Sequence, residues 1–206
     1  MSAALTPKGA ATRRRIVDEA AAEMRENGVA GTTLDDVRNR ARVSKGQLFH
    51  YFPDGKEELL LAVAQHEADR VLDDQQPQLG ALTTWAAWHE WRDVVVARYR
   101  AQGMDCPLSA LMSQVGRSTP GARAVVTTLM SQWQAQVRAG IEHLQAAGEV
   151  APDLDADRTA AAMIASIQGG VGLLMSTGST DHLEAAIDLV MDHLESSGPV
   201  AGSTRR

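Results

Sequence analysis

Apolar residues recur at three- and four-residue intervals along most of the chain, the repeat of a helix that turns one face inward, and strand-like alternation is nearly absent. Ile16, Ala20 and Met24 mark a first helix, which Asn27 and Gly28 stop. Leu34, Val37 and Ala41 mark a second, with Thr33 as its N-cap and Asp35 and Asp36 in its first turn. Ser44 can cap a third, and Gln47, three places on, completes a capping box. Leu48 and Phe52 then anchor that helix, and Pro53 ends it because proline disfavours helical geometry in the residue before it. Leu59, Leu60, Val63 and Val71 predict a connecting helix, followed by a loop over 75–80. Helices are predicted over 82–102, 104–116, 122–147, 158–176 and 182–195. Val94, Val95 and Val96 sit among helix formers and stay helical. The expected architecture is all-α: an N-terminal three-helix domain with a helix-turn-helix over 1–56, and a helical body over 57–206, with 1–11 and 196–206 disordered.

Charge separates the same two parts. Residues 1–56 hold ten Lys and Arg against seven Asp and Glu; the rest hold ten against nineteen, giving the net charge of −6. All three lysines, Lys8, Lys45 and Lys56, fall in the first part, and Arg13, Arg14 and Arg15 extend its basic surface, although a basic run near a terminus is equally a solvated one. A local basic surface on an acidic body directs one end toward phosphate. Within the third helix, Lys45 can donate to guanine, Gln47 can pair with adenine through both amide atoms, and Phe49 can touch a thymine methyl. Gly46 leaves room for close backbone approach, while His50, Tyr51 and Lys56 suit phosphates, which position without specifying. Two plainer readings stand beside these: Gln47 as a capping residue only, and Phe49 as core.

The helix opening at Thr33, the run Val43, Ser44, Lys45, Gly46, the run Leu48, Phe49, His50, Tyr51, Phe52, and Lys56 with Glu57, Glu58 and Leu59 together resemble the TetR family of bacterial transcriptional regulators. The resemblance covers about the first quarter of the chain and departs in two places: Phe49 stands where tyrosine is common, and the turn over 53–56 is one residue longer than usual. It implies a homodimer that binds a palindromic double-stranded operator and a C-terminal domain that binds a small effector. It also implies base-facing roles for Lys45, Gly46, Gln47 and Phe49 and backbone-facing roles for Thr33, His50, Tyr51 and Lys56, with Ser44 in the same interface.

In the body, Ile164, Ile167, Val171 and Leu174, with Leu183, Ile187, Val190 and Met191, form apolar faces on the last two helices, suited to a four-helix dimer interface or to intrachain core. Trp85, Trp88, Trp91 and Trp133, with Met112 and Met163, could line an apolar pocket with Tyr99 and Gln168 as polar groups, or could fill the core. As a set they suggest a hydrophobic or aromatic effector. Cys106 precedes Pro107 at a helix start, where a thiolate is favoured, so it joins the ligand-site candidates and leaves redox or electrophile sensing as an alternative; a DNA-binding protein without an effector is another. Histidines lack paired metal-ligand spacing, and no phosphate loop, nucleophile elbow or zinc helix motif is present, so neither cofactor, metal nor enzyme activity is expected. No run of about 18 apolar residues predicts a membrane span, and one cysteine with no secretory signal points to the cytoplasm.

Overall fold

A computed structural model describes residues 5–103 and 120–198. The helix expected over 104–116, with Cys106 and Met112, lies outside the described residues. Among them the elements are α1 (Pro7–Gly31), α2 (Leu34–Arg40), α3 (Lys45–Tyr51), α4 (Lys56–Asp73), a 3₁₀ turn at Leu79–Ala81, α5 (Trp85–Gln102), α6 (Pro120–Ala146), α7 (Ala156–Thr177) and α8 (Asp181–Ser197). The all-α expectation holds.

The chain divides into two compact units, whose described residues are 5–70 with 120–127, and 71–103 with 128–198. The boundary expected at 56/57 is displaced because Leu59, Val63 and Ala64 of α4 share one core with Ile16, Ala20, Val37, Leu48 and Phe52. Helix α1 starts inside the segment expected to be disordered: Thr6 Oγ1 accepts from the Gly9 N–H at 3.2 Å, and Pro7 takes the first helical position, where its missing N–H costs nothing. Gly28 interrupts α1 with φ +73° without ending it, so the expected stop is a kink followed by one more turn to Gly31.

Arg40 of α2 gathers three carboxylates of α1: Glu19 at 3.0 Å, Glu23 at 3.1 Å and Glu26 at 2.7 Å. Hydrogen bonding from Arg40 lowers the pKa of Glu26. Beside these carboxylates on α1, Arg25 Nη1 lies 3.1 Å from Oε1 of Glu67 on α4, and the Glu67 side chain is only 3% exposed. Arg70 approaches the same oxygen at 3.8 Å.

In the second unit, α7 and α8 pack against each other through Ile164, Ile167, Val171 and Leu174 on one side and Leu183, Ile187, Met191 and Leu194 on the other, all buried. Their closest approach is at Gly170, where a Cβ would stand 2.5 Å from Leu183 Cα. Seven of the eight residues expected at a dimer interface therefore face their own chain; Val190 alone is half-buried. The periodic apolar face satisfies intrachain packing first. Helix α7 is also long and apolar enough to cross a membrane, with a mean hydropathy of 1.4; its Ile164, Ile167, Val171 and Leu174 are buried against α8, and its Ala162, Ala165 and Leu173 are exposed. Arg92 on α5 clasps Asp188 on α8 through two bonds of 2.8 and 2.9 Å, and Arg100 meets Glu184 at 2.7 Å. The Thr180 hydroxyl, and then Arg100, lower the pKa of Glu184.

Glu26, Glu184 and Asp36 all have folded-state pKa values below the ordinary ones, the last through the Thr33 hydroxyl. Their contribution is complete above the unfolded carboxylate pKa and is lost as pH falls through the lowered folded values. Chemical denaturation should show constant stability from pH 7 to about pH 5 and a decline below about pH 4. A midpoint unchanged down to pH 3 would contradict these shifts.

Candidate nucleic-acid interface

Two reciprocal caps build the α2–turn–α3 unit. The Asp36 N–H donates to Thr33 Oγ1 at 3.2 Å while Asp36 Oδ2 accepts from the Thr33 N–H at 2.9 Å. The Gln47 N–H donates to Ser44 Oγ at 3.1 Å while Gln47 Oε1 accepts from the Ser44 N–H at 2.9 Å. Each box satisfies two donors that a helix start leaves open. Between them Arg42 takes φ +52°, a left-handed conformation unusual for a side-chain-bearing residue, and lets the Val43 N–H reach back to Arg38 O at 3.1 Å.

Helix α3 buries Leu48, is followed by buried Phe52, and packs half-buried Tyr51 against the same core. Lys45, Gly46, Gln47 and His50 are exposed, and Phe49 is 40% exposed, which removes the reading of Phe49 as core. Tyr51 is half-buried, edge-on to His50 with ring centroids 4.9 Å apart. A Cβ added at Gly46 would meet nothing nearer than Ser44 Oγ at 3.9 Å, so no protein contact demands glycine there. Arg14 and Arg15 are exposed, whereas Arg13 stacks over the Phe52 ring at 5.1 Å.

Two expectations change. Lys56 was expected on phosphate; its Nζ donates to Thr32 O at 2.6 Å. The longer turn is the cause: Gly55, at φ +67° and with its N–H on Phe52 O, brings Lys56 under the end of α1, where an ammonium suits unpaired carbonyls. Gln47 was expected to present both amide atoms to adenine; its Oε1 is engaged by the Ser44 cap. Ser44 and Thr33, expected in the interface, are exposed N-caps whose hydroxyls already serve their helices.

Residues 16–63 match the family described as bacterial regulatory proteins, tetR family, and residues 81–190 match the tetracyclin repressor-like C-terminal domain. The chain belongs to the TetR family. Its TetR relatives include the HTH-type transcriptional repressor AcnR of Corynebacterium diphtheriae, 26% identical over 91% of this chain and 93% of AcnR. Two uncharacterised HTH-type regulators of Mycobacterium tuberculosis are 28% identical over 110 residues, and the match covers about half of their length, 53%, and 50% of this chain. A TetR regulator from Chloroflexus aurantiacus superposes with a TM-score of 0.78 at 27% identity, covering 94% of this chain and 98% of that one. Helices α2 and α3 both lie inside the matched segment 16–63.

The residues expected to line an effector pocket are closed in this structure. Trp88, Trp91, Trp133 and Met163 have no exposed surface, Tyr99 is buried, and Trp85 and Gln168 are half-buried. They pack as core, with Trp85, Trp88 and Trp91 in sequence at ring separations of 6.5 and 5.8 Å. The Trp91 indole N–H donates to Gln75 Oε1 at 2.8 Å, and Gln75 Nε2 donates to Val71 O at 2.7 Å in the last turn of α4. Sequence reading missed Gln75, which is fully buried; a glutamine within a loop-like polar run carries no signal of that role. Among the described residues, buried Nε1 of Trp88, Nε1 of Trp133 and Nε2 of Gln168 have no hydrogen-bond acceptor.

Proposed function

We propose that the chain is a cytoplasmic, homodimeric transcriptional repressor that leaves a palindromic operator when a hydrophobic or aromatic small molecule binds its second unit. The observation that carries the DNA-binding half is Gly46. Glycine costs a helix about 1 kcal/mol relative to alanine, and nothing in the protein requires it here. A duplex backbone pressed against the start of α3 does. Gly46→Ala should therefore raise stability by about 0.5–1 kcal/mol while weakening operator binding, read by thermal melting and fluorescence anisotropy. A variant that binds as well as the parent sinks this reading.

The effector half rests on the three buried donors without acceptors. Because a buried unpaired donor costs about 1–3 kcal/mol, an apolar ligand whose carbonyl or carboxylate reaches one of them gains affinity on that scale. By linkage, an effector that weakens operator affinity binds the operator complex correspondingly less tightly.

The dimer surface we propose is the outward face of α7 and α8, not the buried one. Ala162, Ala165, Gly169, Gly172 and Leu173 are exposed on α7, and Leu189 on α8 is 71% exposed. Leu189, Val190 and His193 border a cleft of about 580 Å³ that Arg158, Ala162 and Leu154 complete. Small residues allow helices of two copies to approach closely, and an exposed leucine beside a cleft suits a self-complementary contact. Leu189→Arg should yield monomers in light scattering at micromolar concentration and weaken operator binding by about tenfold or more, since single half-sites bind poorly. A dimer of undiminished strength would rule out this face.

A further inference from the structure

We propose that Gln47 reads the operator as a hydrogen-bond donor alone, through Nε2, and so selects guanine or thymine rather than adenine. The inference rests on the regulator reading above and concerns the base preference of one position. Gln47 is exposed at the start of α3, yet its amide is not free to turn. The Ser44 backbone N–H, 2.9 Å away, is a donor and can be met only by the amide oxygen, which fixes Oε1 toward Ser44 and Nε2 away from it. The opposite bond, from the Gln47 N–H to Ser44 Oγ at 3.1 Å, holds the same turn from the other side. No hydrogen bond among the described residues engages Nε2.

Pairing with adenine needs the carbonyl and the amino group of the side chain side by side, one accepting from N6 and the other donating to N7. With the carbonyl turned back to the cap, that arrangement requires the cap bond to be given up at an already short helix. A lone donor distinguishes bases differently. Both purines carry the N7 acceptor; guanine adds the O6 acceptor beside it, whereas adenine places an amino group there that faces a donor with a donor. Thymine O4 also accepts. The capping box therefore sets which bases the side chain can favour.

The test is selection from a random duplex pool by the full-length parent, Gln47→Ala and Gln47→Glu. The parent should demand guanine or thymine at one position of each half-site, and Gln47→Ala should flatten that position alone by about three- to tenfold, the worth of one hydrogen bond. Gln47→Glu keeps an oxygen for the cap and lacks the donor; it should melt with the parent and lose the same preference, which separates a lost base contact from a frayed helix. Loss of the preference when the adenine of a selected A·T pair is replaced by purine, which lacks only the N6 amino group, requires an acceptor aimed at N6 and overturns the inference. Unchanged preferences in both variants overturn it too, leaving Gln47 a cap. Failure of the parent to select any sequence removes the regulator reading as well.

Discussion

Gly170→Ala should destabilise the protein by about 1–3 kcal/mol, at the upper end of what overpacking usually costs. The added methyl carbon would stand 2.5 Å from Leu183 Cα and 2.9 Å from its Cβ. Neither is the tip of a flexible side chain. The helices must separate, and Ile167, Val171, Leu174, Leu183 and Ile187 then lose part of their mutual burial. At about 2–4 °C per kcal/mol for a chain of this size, melting should fall by roughly 2–12 °C. Gly31→Ala at the end of α1 is the control, because a Cβ there meets nothing nearer than Asn27 Cβ at 3.8 Å and Gly31 lies outside the proposed dimer face. Equal melting of the two variants would mean that α7 and α8 do not cross as described.

Arg25→Met should be similarly severe in the first unit. It removes the 3.1 Å partner of a carboxylate that is 3% exposed, leaving Arg70 at 3.8 Å as a weaker substitute. Breaking a buried pair from one side typically costs 3–5 kcal/mol; the exposure of Arg25 and the presence of Arg70 reduce the expectation to about 2–3 kcal/mol. The double variant Arg25→Met, Glu67→Leu should recover most of that loss, because the cost lies in the stranded charge and not in the absence of the pair. Urea titration of the parent, the two single variants and the double variant measures the coupling directly. Additive losses would show that the pair is not coupled.

The parts of this structure that follow from local chemistry were legible in the sequence. Thr33 with Asp36 and Ser44 with Gln47 are capping pairs at fixed spacing, and Leu48 and Phe52 sit where the inner face of α3 requires. The start of α1 carried its signal too, Thr6 before Pro7, and was obscured only by its nearness to the terminus. Choices between partners were not legible. A lysine has no pattern that tells a carbonyl from a phosphate, so Lys56 was misplaced; Arg40 could have been paired from Glu19, Glu23 and Glu26, which recur on one face of α1. The apolar faces of α7 and α8 announced burial without saying against what. Once those faces are spent on each other, the outward surface of α7 proposed for a second copy is mostly alanine and glycine beside Leu173 and Leu189, which hydrophobic periodicity does not reveal.

Seven residues are too few to remain helical in water by themselves, since isolated helices shorter than about 12–15 residues are marginal. The order of α3 is therefore borrowed from the core beneath it, through Leu48 and Phe52. Under the proposed function, base discrimination cannot erode gradually in such a design. Local opening of the first unit removes every exposed group of α3 in one step, so backbone amides of α3 and of the Val37 region should exchange with solvent deuterium at a common rate.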